Sequence, residues 1–504
     1  MATSGGKFRA SWIAASAALL AGASLAFARF GGGEGFGGGG FGGGGSGFGG
    51  GGFGGGFGGG GFYYGGGSSH GGDPGFAVAI VIVLVLYVIW HLVQQGQNTG
   101  TMVQRPGSWS PLERQQGVAA LKAADPAFDE QAFYARVALA FQKLQAAWSV
   151  QDLSQVRAFI SDGVHERCGV QFMEQRADGY RNVMRNVQVT QVVLAQVVSE
   201  GGFDAATLRI SASAIDLYVS LADGRQRADS VGQSSFVEFW TLLRRRGAAT
   251  IAGNGLIEGH CPNCGAAIEM NAGAKCASCG AMLRSGQYDW VVAMTENIWQ
   301  LEEPTEVAGV AGYRLSDPEF SLADLEDRAS VVFWRKSMAD QQGKIDALRK
   351  IATDDFCRRY EPYLHSAGNQ ERIYSGRCAI GSVNTVGVLA AGGGMDRALL
   401  LIRWEGQRMA AGPSGASHPA GPRAQARSLY VLGRRSGVKT DPGHSISSAH
   451  CPNCGAPESV DTANACEFCG AVLNDGSRSW VLIAIFSLAS TEAQTLIAQA
   501  RAQG

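Results

Sequence analysis

Along the chain the spacing of apolar positions changes period twice, in the same way each time. Phe133, Val137, Phe141, Leu144 and Trp148 fall on one stripe at helical spacing. Asp125-Pro126 precedes them and reads as a helix start, an aspartate cap followed by a first-turn proline. Leu153, Val156, Phe159 and Ile160 predict a second helix, and a third runs through Phe172 towards Met184. The period then falls to two. Val187 to Val198, Ala205 to Val219 and Ser234 to Leu243 are β-branched and alternating, which predicts long strands with turns at Gly201-Gly202 and Asp223-Gly224. Tyr288 to Met294 closes the unit as a further strand.

The second half repeats this plan. Asp317-Pro318 stands 192 residues after Asp125-Pro126, and Phe320 answers Phe128. Ile345, Leu348, Ile351 and Ala352 keep the same displacement from Leu153, Val156, Phe159 and Ile160. Later matches fall at 190: Tyr430, Leu432, Arg434 and Arg435 repeat Trp240, Leu242, Arg244 and Arg245, and Trp480 repeats Trp290. A net deletion of two residues between the helices and the last strand before the cysteines reconciles the figures. Helices followed by antiparallel strands, twice over, predict an α+β fold with helices packed on one face of a curved sheet.

Cysteines interrupt each unit before its last strand. Cys261-Pro-Asn-Cys264 is followed after eleven residues by Cys276-Ala-Ser-Cys279, and Cys451-Pro-Asn-Cys454 by Cys466-Glu-Phe-Cys469 across the same gap. Paired Cys-x-x-Cys knuckles describe a four-thiolate zinc site, and four thiolates fill the tetrahedron that a catalytic zinc leaves open. Two structural zinc ions are therefore expected, in ribbons spanning 260–283 and 450–473. The glycine after each second cysteine suits a turn with positive φ. His260 and His450 precede the first cysteines and read as surface neighbours of the knuckles. Cys168, Cys357 and Cys378 lie among apolar residues and read as small buried hydrophobes.

Ahead of the repeats the composition changes. Lys7 and Arg9, an apolar run from Trp12 to Leu25 and Ala26-Phe27-Ala28 make a secretory signal peptide over residues 1–28. Of the 73 glycines, 29 crowd into Gly31 to Gly72, punctuated by Phe and Tyr, so residues 29–75 read as a disordered arm and the rest of the chain as ordinary globular sequence. Phe76 to Val93 is apolar apart from His91 and, as a helix, rises about 27 Å, close to the hydrocarbon thickness of a bilayer. It reads as a single transmembrane helix, followed by a linker over 94–124. The expected topology places the Gly-rich arm outside and the repeats in the cytoplasm, anchored in the inner membrane, where thiolates stay reduced.

Charge narrows the function. With 42 Lys+Arg against 43 Asp+Glu, the chain has no general grip on nucleic acid, and the ribbon loops carry almost no basic residues. The repeated basic feature is Arg244-Arg245-Arg246 and Arg434-Arg435 at strand ends, candidates for contact with anionic lipid or a partner. No His-Glu-x-x-His, Gly-x-Ser-x-Gly or phosphate-binding loop is present, so no catalytic residue is assigned. A ligand-binding or catalytic pocket in the fold is the first alternative, and a zinc-ribbon nucleic-acid binder a disfavoured second.

The acidic-Pro-x-Phe start, the helix ending in Gln145-Ala146-Ala147-Trp148, the Asp152-Leu153 restart and the Phe239-Trp240-Thr241-Leu242 strand resemble the Tim44-like domain, named for a subunit of the mitochondrial inner-membrane protein translocase. The resemblance is good over roughly residues 110–300 and weaker in the second unit, where Met338 to Gln341 replace the Gln-x-x-Trp end. It implies a cone of helices on a curved sheet, similar to nuclear transport factor two, that binds membrane and chaperone partners. With signal, arm and ribbons, the whole looks like bacterial zinc-ribbon transport proteins of that family; the chaperone-tethering segment has no counterpart here. The expected organisation is a Tim44-like domain over 125–300, a second over 301–490 and a tail over 491–504. The expected role is a non-enzymatic, membrane-anchored docking platform for an unidentified protein, with protein transport implied by the resemblance.

Overall fold

A computed structural model describes residues 111–503, apart from 252, 254, 269–274, 297–306, 366–370, 413–415 and 445. The stretches expected as a signal peptide, a Gly-rich arm and a transmembrane helix, and the expected linker as far as residue 110, lie outside the described residues. Among the described residues no helix is long and apolar enough to cross a membrane.

The first unit runs α1 (Pro111–Ala124), α2 (Glu130–Val150), a 3-10 turn (Ser154–Phe159) and α3 (Asp162–Ala177). Four antiparallel strands follow in sequential order: β1 (Tyr180–Glu200), β2 (Phe203–Ser220), β3 (Gly232–Arg245) and β4 (Val291–Glu296). The apolar stripe of α2 lies on the sheet as its period requires. Phe133, Val137, Phe141, Leu144 and Trp148 are buried with Leu208, Ile210, Trp240 and Leu242 in one core. Phe141 meets Trp240 at 5.2 Å between ring centroids, and Trp148 meets Phe172 of α3 at 5.0 Å.

The second unit repeats the architecture with α4 (Val310–Ser316), α5 (Leu322–Gln342), a 3-10 turn (Asp346–Leu348) and α6 (Asp354–Tyr360). Its sheet is β5 (Arg372–Leu389), β6 (Met395–Ala411), β7 (Ser417–Arg435) and β8 (Val481–Ser487), again in sequential antiparallel order. The stretch expected as a tail is a helix, α7 (Thr491–Gln503), whose Ala493 and Ala500 are buried against Leu389, Leu399, Leu429 and Val431. Leu399 and Val431 pair across β6 and β7, whereas their counterparts in the first sheet, Thr207 and Thr241, share a hydroxyl hydrogen bond.

Four boundaries differ from the sequence expectation. Residues 111–124, expected as the end of a linker, form α1, whose Val118 and Leu121 are buried in the first core. The helix starts are four residues later than the Asp-Pro pairs. Asp129 caps α2 by accepting from the Ala132 amide at 2.8 Å, and Ser321 caps α5. Asp125 and Asp317 are instead buried and occupied by arginines, as described below. The stretch 153–160 forms a 3-10 turn rather than a full helix. The third helix ends at Ala177, because Gly179 takes φ +73 and turns the chain into β1, which already contains Met184.

Candidate metal centres

Both ribbons sit between the third and fourth strands of their units. In each, the amide of the first cysteine donates to the alanine five residues on, Cys261 to Ala266 and Cys451 to Ala456, both at 2.8 Å. Gly265, Gly280, Gly455 and Gly470 all have φ between +71 and +75, so the turn that wraps each knuckle needs glycine for its backbone.

The sulfurs converge in both clusters, every ligand atom lying within 4.8 Å of the others. Cys261 and Cys279 stand 3.8 Å apart, and Cys264 and Cys276 3.7 Å; the second cluster has 3.7 Å for Cys451–Cys469 and for Cys454–Cys466. A disulfide requires about 2.05 Å. A tetrahedron with metal–sulfur bonds of about 2.3 Å has edges near 3.8 Å. The donor set thus fits a divalent ion, Cys261, Cys264, Cys276 and Cys279 holding one and Cys451, Cys454, Cys466 and Cys469 the other.

Local hydrogen bonds prepare the thiolates. The Asn263 side-chain amide donates to Cys279 Sγ at 3.4 Å, and Asn453 does the same for Cys469. The Cys279 thiol is lowered to about 6 by the Asn263 amide and the Ala281 backbone amide. Cys469 is lowered to about 6 by the Ala471 backbone amide and Asn453. Burial pushes Cys261 and Cys451 up to about 12, so these two depend most on a cation to ionise them. Outside the ribbons, Cys168, Cys357 and Cys378 are buried, and burial pushes their thiols up to about 12, 11 and 12. They are core residues, as their neighbours implied.

The arginine runs require a correction. Arg244 and Arg434 are only 2 % exposed and unable to reach a lipid surface. Arg244 donates to Asp125 Oδ2 at 2.7 Å and lies over the Trp290 ring at 4.6 Å; Arg434 donates to Asp317 Oδ2 at 2.6 Å and lies over Trp480 at 4.7 Å. Thr250 and Thr440 donate to the same carboxylates through both amide and hydroxyl. These clamps tie each Asp-Pro turn to the end of the third strand. Arg245 pairs with Glu319 at 3.2 Å and Arg435 with Asp475 at 2.9 Å, while Arg246 is exposed.

His450 is also corrected. It is 8 % exposed and part of a buried joint between the two units, while His260 stays partly exposed beside Cys261. Asp162, wholly buried at the start of α3, accepts from the Ala449 amide at 2.7 Å and from His450 Nδ1 at 2.6 Å. Its other oxygen accepts from Arg284 at 2.7 Å and from Arg157. His450 Nε2 lies 2.7 Å from Arg284 Nη2, so an imidazole donating from Nδ1 accepts from the guanidinium on its far side. Burial alone would raise the Asp162 carboxyl, but His450 and Arg157 outweigh it and hold it well below the carboxylate range. Arg335 of α5 bridges Glu166 of α3 at 3.0 Å and Glu458 of the second ribbon at 3.3 Å. Sequence reasoning missed this network, whose one local signal was an acid following a serine cap in Ser161-Asp162.

These features define an α+β protein with helices on two four-stranded antiparallel sheets and two four-thiolate clusters. The family model of the Tim44-like domain matches residues 114–254, so that span, from α1 to just beyond β3, carries a Tim44-like domain. Among solved structures, the chain described as "Ntf2 like protein involved in plasmid conjugation" matches at 6% identity and a TM-score of 0.14, covering 61% of this chain and 92% of that one. No curated protein matches.

Proposed function

We propose that the protein is a non-enzymatic, membrane-anchored docking platform, with two structural zinc ions and a role in handling proteins at the inner membrane. The observation that carries this reading is the use made of the polar chemistry. The eight ribbon cysteines converge in two four-thiolate clusters that leave no ligand position for a substrate. The buried pairs Asp125–Arg244 and Asp317–Arg434 are engaged within their own units, and Asp162 and Arg335 in the joint between the units. Surfaces are then the means of action. The Tim44-like domain at 114–254 supports a membrane-associated interaction, and tethering by the apolar run 76–93 would raise the effective concentration of weak contacts.

The test is site-specific photocrosslinking in native membranes from exposed positions of the described units, such as Arg246 and Tyr363. A discrete protein adduct that survives washing and disappears when the unit is unfolded supports docking. Turnover of a small molecule by the purified full chain, with no adduct, overturns it. Elemental analysis of the same preparation should give two zinc ions per chain.

A further inference from the structure

The joint between the units combines direct contacts of α3 with α5 and β5, Gly163 to Asp327, Glu166 to Arg335 and Glu174 to the Arg377 amide, with a part supplied by the second ribbon. Its ribbon part consists of the Ala449 amide and the His450 ring, which reach Asp162 directly, and of the carboxylate and carbonyl of Glu458, which hold Arg335 of the same unit where it reaches Glu166. Ala449, His450 and Glu458 all belong to the first knuckle arm of the second ribbon. Ala449 and His450 immediately precede Cys451, and Glu458 follows Cys454 by four residues. The arm is closed by the Glu458 amide donating to Ala449 at 2.9 Å and by a His450–Pro457 bridge. Its shape therefore depends on Cys451 and Cys454 turning around a common centre. The receiving helix, α3, presents Asp162 to that arm and Glu166 to Arg335 of α5, and its Gly163 amide donates to Asp327 of α5 at 3.1 Å.

The first ribbon is used differently. It sends Arg284 to Asp162, and the Met282 methyl meets Gly455. Its own first arm faces inward: Arg136 of α2 grips Glu258 at 2.7 Å and Asp289 at 2.7 Å, fastening that ribbon to its own unit. The counterpart of Arg136 in α5, Arg328, instead bonds the main-chain oxygens of Trp480 and Ser448, and Glu458 holds Arg335 of the same unit, whose guanidinium carries the contact across to Glu166 of α3.

We infer that the second thiolate centre is a latch: its metal, by fixing the Ala449–Glu458 arm, holds α3 of the first unit against the second, and its loss releases that helix. The first centre stabilises its own unit with a smaller effect on the joint. Ions and oxidants that reach the cysteines would then change the surface the two units present together, through one site rather than both.

The full chain in detergent tests this by hydrogen exchange read with zinc content. Cys466→Ser should lower zinc from two to one per chain and raise exchange across Asp162–Ala177 roughly tenfold, with α2 amides still protected. Cys276→Ser should also lower zinc to one, yet change α3 exchange less than about threefold. Two further measurements do not depend on Cys466→Ser folding. During chelation of the unaltered chain, α3 should lose protection in step with alkylation of Cys454 and Cys466, and His450→Ala should expose α3 while both ions remain bound. Protection of α3 that persists after Cys454 and Cys466 are alkylated overturns the latch, as do equal responses to the two serine variants or an unmoved α3 in His450→Ala.

Discussion

The helix after the 3-10 turn begins with the same residue in both units but has opposite surroundings. Asp162 opens α3 and Asp354 opens α6, each behind a hydroxyl cap from Ser161 or Thr353. Each also reaches the residue at the end of its ribbon. That residue is Arg284 in the first unit, 2.7 Å from Asp162, and Asn474 in the second, 2.7 Å from Asp354. Asp354 is exposed and satisfied by neutral amides, whereas Asp162 is fully buried and needs Arg157, Arg284 and His450. A duplicated position has kept its residue and its capping geometry while only one copy became part of an ionic joint. The clamps show the converse: Asp125–Arg244–Trp290 and Asp317–Arg434–Trp480 are the same device in both units, since both must hold the turn before the long helix.

The comparison is broken most directly by removing the two acids in turn. Asp162→Ala leaves the buried Arg284 and the half-buried Arg157 without their shared carboxylate and should cost about 3–5 kcal/mol in denaturant unfolding. Asp354→Ala loses a cap-proximal carboxylate at the surface and should cost less than about 1 kcal/mol. Equal losses would mean that burial does not distinguish the copies.

A second test uses an acid that only one copy possesses. Asp327 of α5 stands where α2 has Ala135, is 1 % exposed, and has its carboxyl pushed up to about 7 by burial. Because its folded value lies above its unfolded one, the neutral form favours folding. That contribution is complete below about pH 4 and is lost as pH rises through about 7. Asp327→Asn keeps an oxygen acceptor for the Gly163 amide without the charge, so the variant should exceed the parent by up to about 4 kcal/mol at pH 8 and match it near pH 4. An unchanged pH profile would place the ionised carboxylate comfortably in the joint.

The smallest effect concerns the outer arginines. Arg435 pairs with Asp475 at the surface and Arg245 with Glu319 at the edge of the joint. Alanine at either should change stability by less than about 1 kcal/mol, with the loss at Arg245 the larger because its guanidinium also lies 5.2 Å from the Phe203 ring. Thermal unfolding of the two variants side by side checks the order.

Much of the fold was legible because it rests on short-range patterns. The change from helical spacing to alternation placed α2 and the three long strands, with their ends extended by a few residues where antiparallel pairing continued to the turns. The misplaced helix starts have a clear cause. Asp-Pro satisfies every local rule for an N-terminus, but Asp125 and Asp317 were required by arginines that arrive 119 and 117 residues later. The 3-10 turns and the early end of α3 at Gly179 likewise follow from packing and backbone geometry rather than from apolar spacing.

By itself the sequence determined the duplication, the α+β order and the eight cysteines, because knuckle spacing brings each ligand set together within a few tens of residues whatever the rest of the chain does. The tertiary structure alone decided which charges are buried and whose partners they become. Asp162 and His450 are 288 residues apart and meet only when two finished units pack together. An aspartate, an arginine and a histidine carry no mark of burial in their neighbours along the chain; desolvation, and the pairing it demands, is a property of the assembled interior.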